Sequence, residues 1–293
     1  MRRSRFNALL GVLSFVMILV STRAAMAQVT LVVDSSGNGD YTAIQPAIDA
    51  ASDGDTVELV PGTYRERINL GGKKITLRGS TGLSFLHILS RPEGGSGRLV
   101  SMNGGEDATT VIEGMTIRQS TDGGMYLNNA SPTIRNCRFV ENTVGDQGGV
   151  VSINGTSTPR FEDCEFSDNA ASGGTNIRGG AIFMTGSGVD ATFVDCAFNR
   201  NLSRANQRNS RADGGAICLR SGSRLEVTDC SFDSNLVSAQ SDSVCGNDTA
   251  YAIGGAIQAE SDTEVVVVGC QFVENEAHVD IYDNDSSNCL NRY

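Results

Sequence analysis

The sequence has no tryptophan, two histidines and five prolines in 293 residues, and aromatic residues make up 6 % of it. Scarce histidine removes the commonest general base and the commonest transition-metal ligand from most of the chain. Scarce aromatic residues leave few flat platforms on which sugars or bases could stack. Positive charge is also in deficit, with 23 Lys and Arg against 34 Asp and Glu and a formal charge of −11. Nucleic acid and anionic membrane both need clustered cations, so neither is an expected partner. None of the eight cysteines falls in a Cys-x-x-Cys spacing, so neither a metal site nor a cofactor is expected.

Long apolar runs are absent except at the start. Arg2, Arg3 and Arg5 precede an apolar stretch from Ala8 to Val20, Ala25-Met26-Ala27 follows, and no acid occurs before Asp34. This order is that of a secretory leader, so residues 1–27 are expected to be a signal peptide cleaved before Gln28. Its loss takes four arginines and no acid, which moves the formal charge from −11 to −15 over 266 residues. The expected product is an exported protein (extracellular, cell-surface or periplasmic) that is not inserted in a membrane after cleavage.

What the chain has in quantity is glycine, 34 residues, much of it in a repeat. Five segments read Cys-x-Phe-x-x-Asn: Cys137/Phe139/Asn142, Cys164/Phe166/Asn169, Cys196/Phe198/Asn201, Cys230/Phe232/Asn235 and Cys270/Phe272/Asn275. Between them stand Gly148-Gly149-Val-Val, Gly179-Gly180-Ala-Ile, Gly214-Gly215-Ala-Ile and Gly254-Gly255-Ala-Ile, with Gly123-Gly124 as a weaker earlier copy. From the second Gly to the next Cys there are 12, 14, 15, 14 and 14 residues, whereas from each Asn to the next Gly pair there are 5, 9, 12 and 18. One part of the repeat is therefore fixed and the other free. The fixed part has room for two short strands and a tight turn, and the free part is expected to be a loop outside the stack.

A coil of short strands cannot bury its own inner face, but stacked coils bury a continuous one. The pattern predicts an all-β chain, a single-stranded right-handed parallel β-helix of about seven or eight coils. The cysteines and phenylalanines should form inward ladders with mostly free thiols, and the five Asn a third ladder at the following bend, bonding backbone amides along the stack. Each Cys follows Asn136, Asp163, Asp195, Asp229 or Gly269, residue types that accept a left-handed backbone. The resulting division is a β-helix domain over 28–293, with an N-terminal cap at 28–60, repeats over about 114–275 and a tail at 276–293. Thr42-Ala43-Ile44-Gln45 is a capping-box pattern, and Ile44, Ala47, Ile48 and Ala51 keep helical spacing, predicting a short capping helix over 43–52.

Two resemblances follow from these residues. The opening, Asp40-Tyr-Thr-Ala-Ile-Gln-Pro-Ala-Ile-Asp-Ala-Ala51 through Pro61-Gly-Thr-Tyr-Arg65 to Ile75-Thr-Leu-Arg-Gly79, is similar to the start of pectin lyase-like superfamily proteins. The Gly-Gly-Ala-Ile and Phe-x-x-Asn units resemble repeats in passengers of polymorphic outer-membrane proteins. The first resemblance implies a carbohydrate-active ancestry. Yet no Trp and no Asp-Phe-Ile-Phe-Gly, Gln-Asp-Thr, Asn-Thr-Asp or Gly-His-Gly segment is present, so no catalytic residue carries over. The second implies a surface module, here without room after Asn275 for a membrane barrel.

The expected function is thus non-catalytic adhesion or ligand recognition through one wall of variable segments, with a polysaccharide or a cell-surface protein as partner. The alternative is a divergent lyase or hydrolase acting on an acidic glycan. Arg204, Arg208 and Arg211 in one free segment are the candidate ligand-binding residues. Cys218, Cys245 and Cys289 lie outside the ladder, and Cys245 and Cys289, both in free segments of adjacent coils, are the candidate disulfide.

Overall fold

The computed structural model describes residues 27–145, 148–207, 209–241 and 249–281. The leader to Met26, Arg208, Cys245, Cys289 and the tail beyond Ile281 lie outside these residues. Every strand pairing among the described residues is parallel, and the strands form sheets of nine, eight, seven, five and three. One coil shows the path: Arg160–Glu162 in the nine-stranded sheet, Glu165–Ser167 in the eight, Ala170–Gly173 in the five, Asn176–Arg178 in the three and Ile182–Thr185 in the seven. Asp190–Val194 then re-enters the nine-stranded sheet one rung higher. Thr30–Val33 and Thr56–Leu59 add two rungs to the nine-stranded sheet before the first readable repeat, while the other two body sheets hold eight and seven strands.

The core is a column of like residues. Phe139, Phe166, Phe198, Phe232 and Phe272 are in register, with successive ring centroids 4.9, 4.8, 4.7 and 4.7 Å apart. The near-parallel stacking of the rings follows from the rung spacing. A second pair, Phe161 over Phe193 at 4.6 Å, lies edge-on to the first column. Each fully buried phenylalanine contributes roughly 1.5–3 kcal/mol. The ladder is sealed except at its last rung, where Phe272 is 47 % exposed and Cys270 and Asn275 are half-buried. Of the described cysteines, Cys137, Cys164, Cys196, Cys218, Cys230 and Cys270 are all free. Each ladder thiol points to main-chain carbonyls, as Cys164 Sγ does to Glu162 O at 3.2 Å.

Asn142, Asn169, Asn201 and Asn235 are completely buried. Asn169 Nδ2 donates to Phe139 O at 2.8 Å and to Asn201 Oδ1 at 3.0 Å, and its backbone N–H donates to the same Oδ1 at 3.3 Å. Asn201 repeats the arrangement with Phe166 and Asn235. The bend is tight on both sides. Asn136, Asp163, Asp195 and Asp229 have φ of 49, 51, 52 and 53°, and the residue before each ladder Asn is left-handed too, at Glu141, Asp168, Arg200, Ser234 and Glu274. Non-glycine residues rarely take this conformation, so the amide ladder offsets local strain at every coil.

The segments expected to be loops are strands. Ala170–Gly173, Leu202–Ala205 and Leu236–Ser241 run out from the body in the five-stranded sheet, and Asn176–Arg178, Arg211–Asp213 and Tyr251–Ile253 return in the three-stranded one. The two sheets face each other across their own apolar cluster, which includes Ala171, Ala205, Val237, Ile177 and Ala212. Small side chains let the layers approach closely and form a thin flange on the coiled body. Arg98 closes its lower end. Its Nη1 donates to Met125 O, Gly149 O and Val150 O at 3.0, 2.8 and 2.8 Å. Burial pushes this guanidinium down to about 10, which still leaves it charged at neutral pH.

The helix spans Ile44–Ala50, shorter than expected, and buries Ile44, Ala47 and Ile48. Its N-cap is Ala43, and no side chain of the expected capping box bonds there. Glu66 takes that role instead, accepting from Ile44 N at 2.7 Å and Gln45 N at 2.9 Å. At the other end Lys73 Nζ donates to Ile48 O, Asp49 O and Ala51 O at 2.8, 2.5 and 2.7 Å. Acid at the start and base at the end complement the helix dipole, which a seven-residue helix needs.

His87 is fully buried, with Nδ1 3.2 Å from Leu83 O and no hydrogen-bond partner for Nε2 among the described residues. Burial holds its pKa below the ordinary 6.5, so the folded chain prefers the neutral ring. Stability from this site is complete above the unfolded value and declines as pH falls through it. Thermal melting from pH 7.5 to 5 should therefore show a loss that His87→Phe flattens, and an equal slope in both proteins would refute the assignment.

Candidate functional site

Where the three-stranded sheet returns to the body it forms a corner with the outer face of the seven-stranded sheet. In that sheet Met125/Leu127, Val151/Ile153, Ile182/Met184 and Ile217/Leu219 point into the core, so their alternate neighbours face outward. Two outward rows result. Tyr126, Ser152, Phe183, Cys218 and Gln258 are in register in one, and Asn128, Asn154, Thr185 and Arg220 in the other. Phe183, Cys218 and Gln258 face away from the core yet are buried, because the flange lies over them. The flange contributes Arg178 and Asp213, paired in register, and Arg211.

The turn into this corner explains the glycine pairs. Gly179 and Gly214 have φ of 64 and 62°, which favours glycine. Gly180 and Gly215 need glycine for space: a Cβ on Gly180 would overlap Gly215 O, and one on Gly215 would overlap Gly255 O. Coils stack here backbone on backbone.

The charges in the corner do not balance. Arg211 Nε lies 2.9 and 2.7 Å from the two oxygens of Asp213, whose side chain is 1 % exposed. Arg220 Nε lies 2.5 Å from Glu260. Arg178 has no carboxylate partner among the described residues; its Nε is buried without an acceptor and its guanidinium sits 6.0 Å over the Phe183 ring. Burial, and then the like charge of Arg220, lower its pKa, while the hydrogen bond that Arg211 donates to Asp213 raises that of Arg211. Burial and Asp213 push the Cys218 thiol far above its ordinary value, so it stays protonated and is no nucleophile. Its Sγ donates to Gln258 Oε1 at 3.2 Å. Among the described residues three arginines thus face two carboxylates, and Arg178 is the one without a carboxylate partner.

The arginines chosen from sequence are not gathered into one site. Arg204 stands between Ser172 and Ser238 in the five-stranded sheet, Arg211 is in the three-stranded sheet beyond the apolar layer, and Arg208 lies outside the described residues. The chain reverses between positions 205 and 211, which puts the first two on opposite faces of the flange. Arg178, Asp213, Arg220 and Glu260 carry no local motif that would have marked them. Among the described residues no group of three or more His, Cys, Asp or Glu could hold a metal ion, and no helix is long and apolar enough to cross a membrane.

A family model described as right handed beta helix region matches residues 95–198. Among solved structures, the deglycosylated pectin methylesterase from Aspergillus niger superposes with a TM-score of 0.50 at 11 % identity, covering 86 % of this chain and 88 % of the enzyme. For pectin methylesterase PemA from Erwinia chrysanthemi the TM-score is 0.49 at 12 % identity, with 89 % and 82 % covered. For pectate lyase Pel9A it is 0.45 at 14 % identity, with 86 % and 78 % covered. No curated protein matches the sequence. At these identities the likeness shows the fold, a right-handed parallel β-helix, and nothing of the chemistry.

Proposed function

We propose that this chain is an exported, non-catalytic recognition module that holds an acidic glycan in the corner between flange and body. The observation that carries the reading is Arg178, a half-buried cation with an unused donor over the Phe183 ring, on a sheet face that carries the polar row Asn128, Asn154, Thr185 and Arg220. The rows rise along the coil axis by about 4.8 Å per rung, close to the length of one sugar ring. A chain of sugars could therefore meet Asn128, Asn154, Thr185 and Arg220 in succession. Likeness of the repeats to those of surface passengers, and the basic-apolar leader, support a place outside the cytoplasm.

A hydrogen bond to a charged group is worth about 1.5–3 kcal/mol, so Arg178→Gln should weaken binding of a uronate polysaccharide at least about tenfold. Calorimetry or co-sedimentation reads this directly, and unchanged binding would remove Arg178 from the site.

The second reading, a divergent polysaccharide lyase or hydrolase, is favoured by one observation: Asp213 and Glu260 share the corner with three arginines. Depolymerisation that is abolished in Asp213→Asn would replace recognition with catalysis.

A further inference from the structure

We infer that Arg65, Ser90 and Arg118, at the bend where the lower coils leave the eight-stranded sheet, form a site for a tetrahedral oxyanion, the sulfate or phosphate of a monoester. Arginine pairing is uneven along the rod. Beyond Arg118 every described arginine except Arg178 and Arg204 meets a carboxylate. Of the described arginines up to Arg118, Arg78 does so and Arg65, Arg67, Arg91, Arg98 and Arg118 do not. Arg67 and Arg98 are held by main-chain carbonyls. Arg65, Arg91 and Arg118 have neither an ion pair nor a hydrogen bond among the described residues. Register gathers them. Arg65 pairs with Ser90 and Ser90 with Arg118, so the three stand on successive rungs of one row, each step about 4.8 Å. Their neighbours Tyr64, Leu89 and Ile117 are in the core, so this row faces outward. Arg91 follows Ser90 at the same bend, and Glu66, beside Arg65, is already bound to the helix amides.

The hydroxyl makes the row a site rather than a patch of charge. Ser90 is 2 % exposed although it faces outward, and its Oγ has no hydrogen-bond partner among the described residues. On the next rung Arg118 Nε is buried and unpartnered as well. Unmet buried donors are costly, and two on adjacent rungs mark a place where an acceptor belongs. The Arg65 fork, the Ser90 hydroxyl and the Arg118 Nε–H offer donors from three successive rungs. A carboxylate has two oxygens to answer them, whereas a tetrahedral oxyanion has at least three. Arg65 is exposed and unpaired, so it is free to swing aside to admit the anion and then to close over it. Val140 ends the polar stretch on the rung after Arg118. The row lies on the eight-stranded sheet and the Arg178 corner on the seven-stranded one, so either binds without the other.

Calorimetry of the full chain at low ionic strength, with sodium sulfate and sodium phosphate as probes, tests the site. One anion per chain is expected, and melting should move to higher temperature as the anion is added. Ser90→Ala should weaken binding at least about tenfold while the free protein melts no lower than the parent, because the hydroxyl it loses bonds nothing. Arg65→Gln with Arg118→Gln should weaken it at least about a hundredfold. Arg135→Gln, which removes an arginine paired with Glu113 outside the row, should bind as the parent does. Tighter sulfate assigns a sulfate ester, and tighter phosphate a phosphate ester. No saturable binding, many weak sites that survive the double variant, or full affinity in Ser90→Ala would overturn the proposal.

Discussion

Asn201→Asp is expected to cost on the order of 4 kcal/mol, the larger of two severe single-residue effects. Asn201 is completely buried and both ends of its amide are used. Its Nδ2 donates to Phe166 O and Asn235 Oδ1, each at 2.9 Å, and its Oδ1 accepts from Asn169 Nδ2 at 3.0 Å. A carboxylate keeps the acceptor role and loses both donors, so a buried charge would face two oxygens. For a domain of this size each kcal/mol lowers melting by about 2–4 °C, so a fall of roughly 8–16 °C is expected. The deficit should narrow at acid pH, where the carboxyl regains a proton to donate. Asn201→Ala, which leaves unpaired groups but no charge, should lie between the variant and the parent. A shift of less than about 2 °C in the aspartate variant would mean that the ladder does not hold the coils.

Gly215→Ala should cost about 3 kcal/mol or more, although alanine is the smallest possible addition. The new Cβ would overlap Gly255 O and stand 2.8 Å from Leu236 N and 2.9 Å from Leu236 C. All three are backbone atoms, and Leu236 is held by its N–H to Asn201 O and by pairing in the five-stranded sheet, so no side-chain rotation relieves the overlap. Strain should fall where flange meets body, and limited proteolysis within 202–213 should accelerate before global unfolding. Gly145→Ala is the control, since nothing lies within 4 Å of a Cβ built there. Equal melting of the two variants would show that the glycine pair is dispensable.

How much of this was legible in the sequence depended on how strongly a side chain contrasts with its neighbours. The Cys, Phe and Asn columns could be read because each recurs at a fixed distance from a glycine pair, and stacking puts like on like. The flange could not. Its inward positions are Ala171/Ser203/Val237 and Ile177/Ala212/Ala252, and such small residues alternating with polar ones read as loop. The Phe161–Phe193 pair escaped notice because Ile134 and Val227 occupy the same row above and below. Glu66 and Lys73 clamp the helix from 21 or more residues away, and local capping rules do not reach that far. The corner was hidden for a related reason. Arg178, Asp213, Arg220 and Glu260 come from three successive coils, and the register brings them together, whereas Arg204 and Arg211, neighbours in sequence, are parted by a reversal of the chain.

The asparagine column also has a direction. Oδ1 of Asn169, Asn201, Asn235 and Asn275 accepts from the asparagine one coil nearer the N-terminus, and the backbone N–H groups of Asn142, Asn169, Asn201 and Asn235 donate toward the C-terminus. Aligned amides of this kind add like peptide units in a helix, giving the rod an electric dipole along its axis. The positive pole emerges at Asn275 on the last described rung, and the residues on either side of it are Glu274 and Glu276.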